Sequence, residues 1–112
     1  MADINERDVL VTKEKNRLRR LFKDKAVEGI ILQAARLRIL LNENWDDISN
    51  NGDYELFTQS DKTDPYERER PVARLYNTRD KTYQGIIKQL TDLLPDEADK
   101  EKVIKNTYSD LI

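Results

Sequence analysis

The chain has 112 residues, a net charge of −2 from 20 basic and 22 acidic groups, and neither cysteine nor histidine. Those two absences remove disulfides, thiolate nucleophiles, most zinc sites and imidazole acid–base chemistry. Hydrophobic and charged residues each make up 38% of the chain, a balance that suits long exposed helices and helical assemblies better than a monomer with a thick core.

The charge is arranged in blocks. Residues 1–42 carry ten basic and six acidic groups, and residues 43–70 carry three and nine. Residues 71–91 carry four and one, and residues 92–112 carry three and six. Alternating blocks suit head-to-tail contacts between copies and also occur on ordinary solvated surfaces.

Residues 1–11 show no sustained period and are expected to be flexible. The polar, acidic start MADINERDVL has no signal-peptide pattern, and no apolar run approaches the roughly 18 residues of a membrane span. A cytoplasmic protein is expected. Thr12 stands where a cap would start a short basic helix over 12–23, with Leu18, Leu21 and Phe22 on its apolar side. Lys13, Arg20 and Lys23 point away from that side, and Arg17 and Arg19 flank it.

Asp24 is placed to cap a longer helix over 24–51, ended by Gly52. Val27, Ile30, Ile31, Ala34, Leu37, Leu41, Trp45 and Ile48 form its main stripe, with Trp45 expected as a core anchor. Leu32, Ala35 and Ile39 lie well off it. A helix apolar on two sides needs two partners, either two other helices of the chain or one of them and a second subunit. Residues 53–70 lack helical rhythm and read as a small β-hairpin, YELF against YERER, or as an irregular excursion.

Pro71 suits the first turn of a helix over 71–94, because its missing N–H has no helical partner there anyway. Val72, Leu75, Tyr76, Tyr83, Ile86, Ile87, Leu90, Leu93 and Leu94 make one stripe, which Pro95 ends. A weak fourth helix over 96–110 would present Ile104, Tyr108 and Leu111. The expected fold is all-α: a central antiparallel helical hairpin of helices two and three in a single 112-residue domain, with a short basic helix before it and a short helix after it.

The basic helix is the first candidate site, since exposed Lys and Arg neutralise phosphates. The alternative is a solvated amphipathic helix, with Glu14 and Asp24 diluting the patch. Arg38 and Arg79 project near the centre of apolar stripes. They are either interface or ion-pair residues, or long stems reaching out at the seam. Ile39, Arg74 and Tyr108 join them as candidates for contact between copies. Glu43, Asp46 and Asp47 on an outer helix face are better read as solvated than as a metal site. No phosphate-binding loop, dinucleotide fingerprint or nucleophile–base spacing is present, so no catalytic residue, cofactor or metal is expected.

One run says more than its periodicity. RPVARLYNTRDKTYQGIIKQLTDLLP, residues 70–95, contains Val72-Ala73, Tyr76-Asn77-Thr78, Tyr83, Ile87-Lys88-Gln89-Leu90 and Asp92-Leu93-Leu94-Pro95. In these elements it resembles the small terminase subunits of tailed phages and prophages, of the type found beside HNH endonuclease genes. The basic opening KEKNRLRRLFKD, the helix GIILQAARLRILL and the stop DISNNG are similar too, so most of residues 13–95 is covered. The resemblance implies a non-catalytic, ring-forming protein that recognises the packaging site on concatemeric phage DNA. It would hand that DNA to a large subunit carrying the ATPase and nuclease. Larger members carry a separate N-terminal DNA-binding domain, which is not expected within these residues. DNA contact would then fall to Lys13, Arg17, Arg19, Arg20 and Lys23.

Overall fold

The computed structural model describes residues 4–94 and 97–109. Its elements, in order, are α1 (Ile4–Leu21), a 3-10 turn (Lys25–Val27), α2 (Glu28–Asn51), β1 (Tyr54–Phe57), β2 (Tyr66–Glu69), α3 (Pro71–Asp92) and α4 (Glu97–Ser109). The protein is mainly α, with one two-stranded antiparallel sheet between α2 and α3.

The first helix is longer than its sequence suggests. It starts at Ile4, and Thr12 lies inside it, donating its hydroxyl to the Asp8 carbonyl one turn back at 2.9 Å. Two contacts made outside the segment explain the extension. Val11 packs against the core, and Arg7 makes a two-pronged bond to Glu43 of α2 at 2.7 and 2.8 Å. Neither contact leaves a local period. Glu6 in the first turn and Arg19 and Arg20 in the last complement the helix dipole.

Asp24 does cap, but it caps the 3-10 turn: its Oδ1 accepts the Ala26 N–H at 2.9 Å, and the α-helix proper begins at Glu28. At the far end Gly52 takes φ +81 and donates its N–H to the Ile48 carbonyl at 2.7 Å. A residue with a side chain rarely accepts that φ, so glycine is what lets the chain leave the helix here. Pro71 occupies the first turn of α3, and the helix stops at Asp92, two residues short of the expected end. Pro95, Leu111 and the side chain of Tyr108 lie outside the described residues.

Packing centres on α2, which has α1 on one side and α3 on the other. Ala35, Ile39 and Glu43 share a face at four-residue spacing, and Glu43 is the residue that Arg7 of α1 holds. The second apolar side of α2 is therefore covered within the chain. On the α3 side the matched pairs are Asp47 with Arg70, Trp45 with Tyr76, Asn44 with Arg79, and Arg38 with Tyr83.

The core lies at one end. Leu18 of α1, Phe22 just after it, Val27, Ile31, Ala34, Ala35 and Leu41, then Tyr83, Ile87 and Leu90 of α3 and Val103 of α4 form one buried cluster. No polar or charged residue is buried among the described residues. The core-facing residue of α4 is Val103 at 2% exposure, while Ile104 is 49% exposed, which corrects the expected face of that helix by one position. The wedge between α1 and α3 selects it, since α4 touches both.

The other end is a tip of different construction. No α2 residue beyond Leu41 is buried, and Trp45, expected as a core anchor, is 54% exposed. Its indole leans on Tyr76 with ring centroids 5.7 Å apart. Arg70 closes the tip, with Nη1 donating to the Gly52 carbonyl at 2.6 Å, Nη2 to Asp47 Oδ1 at 2.9 Å and its backbone N–H to the Asp53 carbonyl at 2.8 Å. From this base β1 and β2 project, with Tyr54 opposite Glu69, Glu55 opposite Arg68, Leu56 opposite Glu67 and Phe57 opposite Tyr66. The molecule measures 62 × 30 × 24 Å, and its radius of gyration is 17.7 Å, against about 13 Å for a compact chain of this length.

Candidate nucleic-acid interface and the groove beside it

The basic residues of α1 divide by environment. Lys13, Arg20 and Lys23 are exposed. Lys13 and Arg20 are seven residues apart, two helical turns, and so share a face. Arg19 is half-covered, and its Nη1 reaches the Asp24 carbonyl at 3.3 Å. Arg17 is different. Its Nε and Nη2 donate to Glu14 Oε1 at 2.6 and 2.5 Å, with 23% of the arginine side chain and 14% of the glutamate side chain exposed. Glu14 sits one turn before Arg17 on the side of α1 nearer the core, and it draws the guanidinium there.

Beside Arg20 and Lys23 opens a cleft of about 430 Å³, reaching across to Leu93 and Leu94 at the end of α3 and to α4. It brings in an exposed cation that reading the sequence missed, Lys102, together with two carboxylates, Asp24 and Asp99. Nothing local in the sequence links Lys102 to Lys23, because the folding back of α4 is what places it there.

The residues proposed for contact between copies do not fall on one surface. Ile39 is 6% exposed in the single chain, so α1 and α2 already use it and it offers nothing to a neighbour. Arg74 has 83% of its side chain in solvent, with a long 3.4 Å contact to Glu69. Arg79 finds a neutral partner, the Asn44 side-chain carbonyl at 2.9 Å. The side chain of Tyr108 lies outside the described residues.

Arg38 is the distinctive one. Its guanidinium lies over the Tyr83 ring, 5.0 Å from the centroid, which suits a cation on an aromatic face. Its Nε is buried and has no hydrogen-bond partner. A buried donor left unpaired is costly, more so on a charged group. Burial, followed by the nearby Glu14 charge, pushes the Tyr83 hydroxyl above its ordinary range, so that ring stays neutral. Arg38 and Tyr83 form one wall of a groove of about 680 Å³ that Tyr76, Ile87, Lys88 and Ile104 also line.

Of the three carboxylates at the end of α2, Asp46 is exposed and the other two are committed elsewhere. Glu43 is bound by Arg7, and Asp47 accepts from both Asn51 at 2.7 Å and Arg70 at 2.9 Å. Those two bonds, Asn51 first, hold the Asp47 carboxyl below its ordinary value. Among the described residues no group of acidic side chains is placed to hold a metal ion, and no helix is long and apolar enough to cross a membrane. No protein-family model, curated protein or solved structure matches the chain.

Proposed function

We propose that the chain is a small terminase subunit of a tailed phage or prophage, working in the cytoplasm of the bacterial host. It is a non-catalytic adaptor that assembles as a ring, binds the packaging site on double-stranded phage DNA and passes that DNA to the large ATPase and nuclease subunit. The observation that supports this most is the exposed basic set of Lys13 and Arg20 on α1 and Lys23 just beyond it, with Lys102 across the cleft beside Arg20 and Lys23. It stands together with the resemblance of residues 70–95. In this reading α2 and α3 are the central antiparallel hairpin that scaffolds each subunit. Arg19 supports the DNA contact from the flank. Arg17, held by Glu14, positions α1 rather than touching phosphate. A ring multiplies a modest patch by its copy number, so weak affinity per subunit suffices. The acidic block 43–70 keeps the tip away from DNA by like-charge repulsion.

The test is retention of phage-end DNA by the purified full-length chain at low salt. The wild type binds at about 50 mM salt, and replacing Arg19 and Arg20 with alanine weakens binding on the order of tenfold. A wild-type chain with no DNA affinity under those conditions contradicts the reading. The second reading is an assembly module that binds only protein, and it is favoured by the exposed Leu56 and Tyr54 of the β-hairpin. It predicts oligomers, no DNA retention, and no effect of the arginine substitutions.

A further inference from the structure

The outward face of α3 carries cations in step. Arg74, Lys81 and Lys88 are all exposed and seven residues apart, two helical turns, so they share one face at intervals of about 10.5 Å. The exposed positions among them on that face, Asn77, Thr78, Gln84, Gly85 and Gln89, are uncharged. Asp80, the acid within the block, sits about 100° round the helix from Lys81 and accepts from Gln84 at 2.7 Å. Other carboxylates stand only at the two ends: Glu69 touches Arg74 at 3.4 Å, and Asp92 is the last residue of the helix. Lys81 and Lys88 make no hydrogen bond or ion pair among the described residues.

Midway between those two lysines stands Gly85. It lies inside a 22-residue helix, where glycine is the least favourable residue after proline. Its φ is not in the left-handed region, and a Cβ added there would meet nothing within 4 Å. Neither backbone conformation nor packing within the chain calls for glycine at this position. Gly29 also has open space around it, but it falls in the first turn of α2. Gly85 therefore leaves a shallow notch, open to solvent and flanked by two unpaired cations, where another backbone can approach closely.

We infer that this face of α3 is a second phosphate-binding surface and that its ligand is the backbone of double-stranded DNA. A strand crosses α3 at Gly85, and Lys81 and Lys88 close on phosphates from either side. Arg74 reaches a further phosphate two turns on, and Asn77 and Gln89 offer neutral donors to phosphate and sugar oxygens. The composition of the face argues for a polyanion over a protein partner. Protein interfaces have an apolar core and are depleted in lysine. Here no apolar side chain lies among the cations, and the exposed Leu75 is about 100° round the helix from Arg74. The inference rests on the DNA-binding part of the proposed function and extends it to a separate surface, since α1 and α3 pack on different sides of α2.

The experiment is a salt series of binding by the full-length chain to a fluorescein-labelled DNA duplex of phage-end sequence. Alanine at both Lys81 and Lys88 lowers affinity on the order of tenfold at low salt and flattens the double-logarithmic slope by about 1.8, two contacts at about 0.9 each. Arginine at both positions keeps the slope. Gly85→Leu leaves the charge alone and replaces glycine with a better helix former, so the melting temperature does not fall while binding weakens about fivefold. A DNA-binding wild type whose slope the double alanine variant leaves unchanged overturns this surface and leaves the α1 contact standing. An unchanged slope with a lower solution mass by light scattering assigns the face to an acidic protein surface and overturns the inference as well. A slope that responds here and not to alanine at Lys13, Arg20 and Lys23 upholds α3 and overturns the α1 contact. A wild type without DNA affinity at any salt overturns both surfaces.

Discussion

The two ends of the molecule are built from the same apolar rhythm and held by different forces. At the α4 end, Leu18, Phe22, Ile31, Leu41, Leu90 and Val103 are all within 2% of full burial, with three helices closing around α2. At the tip the stripe continues through Trp45 and Leu75, yet both stay about half exposed and the joints are polar: Arg70 with Asp47 and Gly52, and Arg79 with Asn44. Apolar spacing reports which face a residue occupies. Whether that face is buried depends on a further element arriving over it, and α4 arrives at one end only.

This contrast fixes the order of mutational effects. Ile31→Ala, at 0% exposure in the middle of the cluster, should cost about 3 kcal/mol in urea unfolding, through lost transfer energy and the cavity left behind. Trp45→Ala removes a larger side chain but should cost only about 1 to 2 kcal/mol, because roughly half of its surface is already in water. A loss at Trp45 equal to that at Ile31 would break the distinction between the two ends.

Gly52→Ala tests the tip's backbone. An added Cβ would meet nothing closer than the Tyr54 carbonyl oxygen at 3.9 Å, so the cost arises from the φ of +81 alone, about 1 kcal/mol. The smallest effect belongs to Asp47. Its carboxyl titrates below the ordinary range because Asn51 and Arg70 donate to its charged form. A carboxyl depressed in the folded state adds stability above its unfolded value, near pH 4, and that stability fades as the pH falls through the lower folded value. Asp47→Asn should therefore lower the melting temperature slightly at pH 7, and the difference from wild type should shrink as the carboxyl of the folded chain becomes protonated in acid. A difference that persists in acid would mean Arg70 is held by something other than charge.

Much of the fold was legible where chemistry and punctuation are local. Pro71 opens α3, Gly52 closes α2, and the turn residues between YELF and YERER mark the antiparallel strands that form. What was not legible depended on distant partners. The first turns of α1 have no period of their own and are helical because Arg7 finds Glu43 and Val11 finds the core. Val103 and Ile104 are adjacent and equally apolar, and only the wedge between α1 and α3 chooses between them. The candidate site divides the same way. The outward placement of Lys13 and Arg20 follows from helical spacing, whereas the position of Lys23 beyond the end of α1, the capture of Arg17 by Glu14, the covering of Ile39 and the arrival of Lys102 do not.

The claim at the centre of this account is that the exposed basic face of α1 meets phosphate, and the salt dependence of DNA binding tests it most directly. Affinity should fall linearly on a double-logarithmic plot, and replacing Lys13, Arg20 and Lys23 with alanine should flatten the slope by about 0.9 for each lost phosphate contact. A slope that the triple substitution leaves unchanged, or an absence of binding by the wild type at any salt, would contradict it.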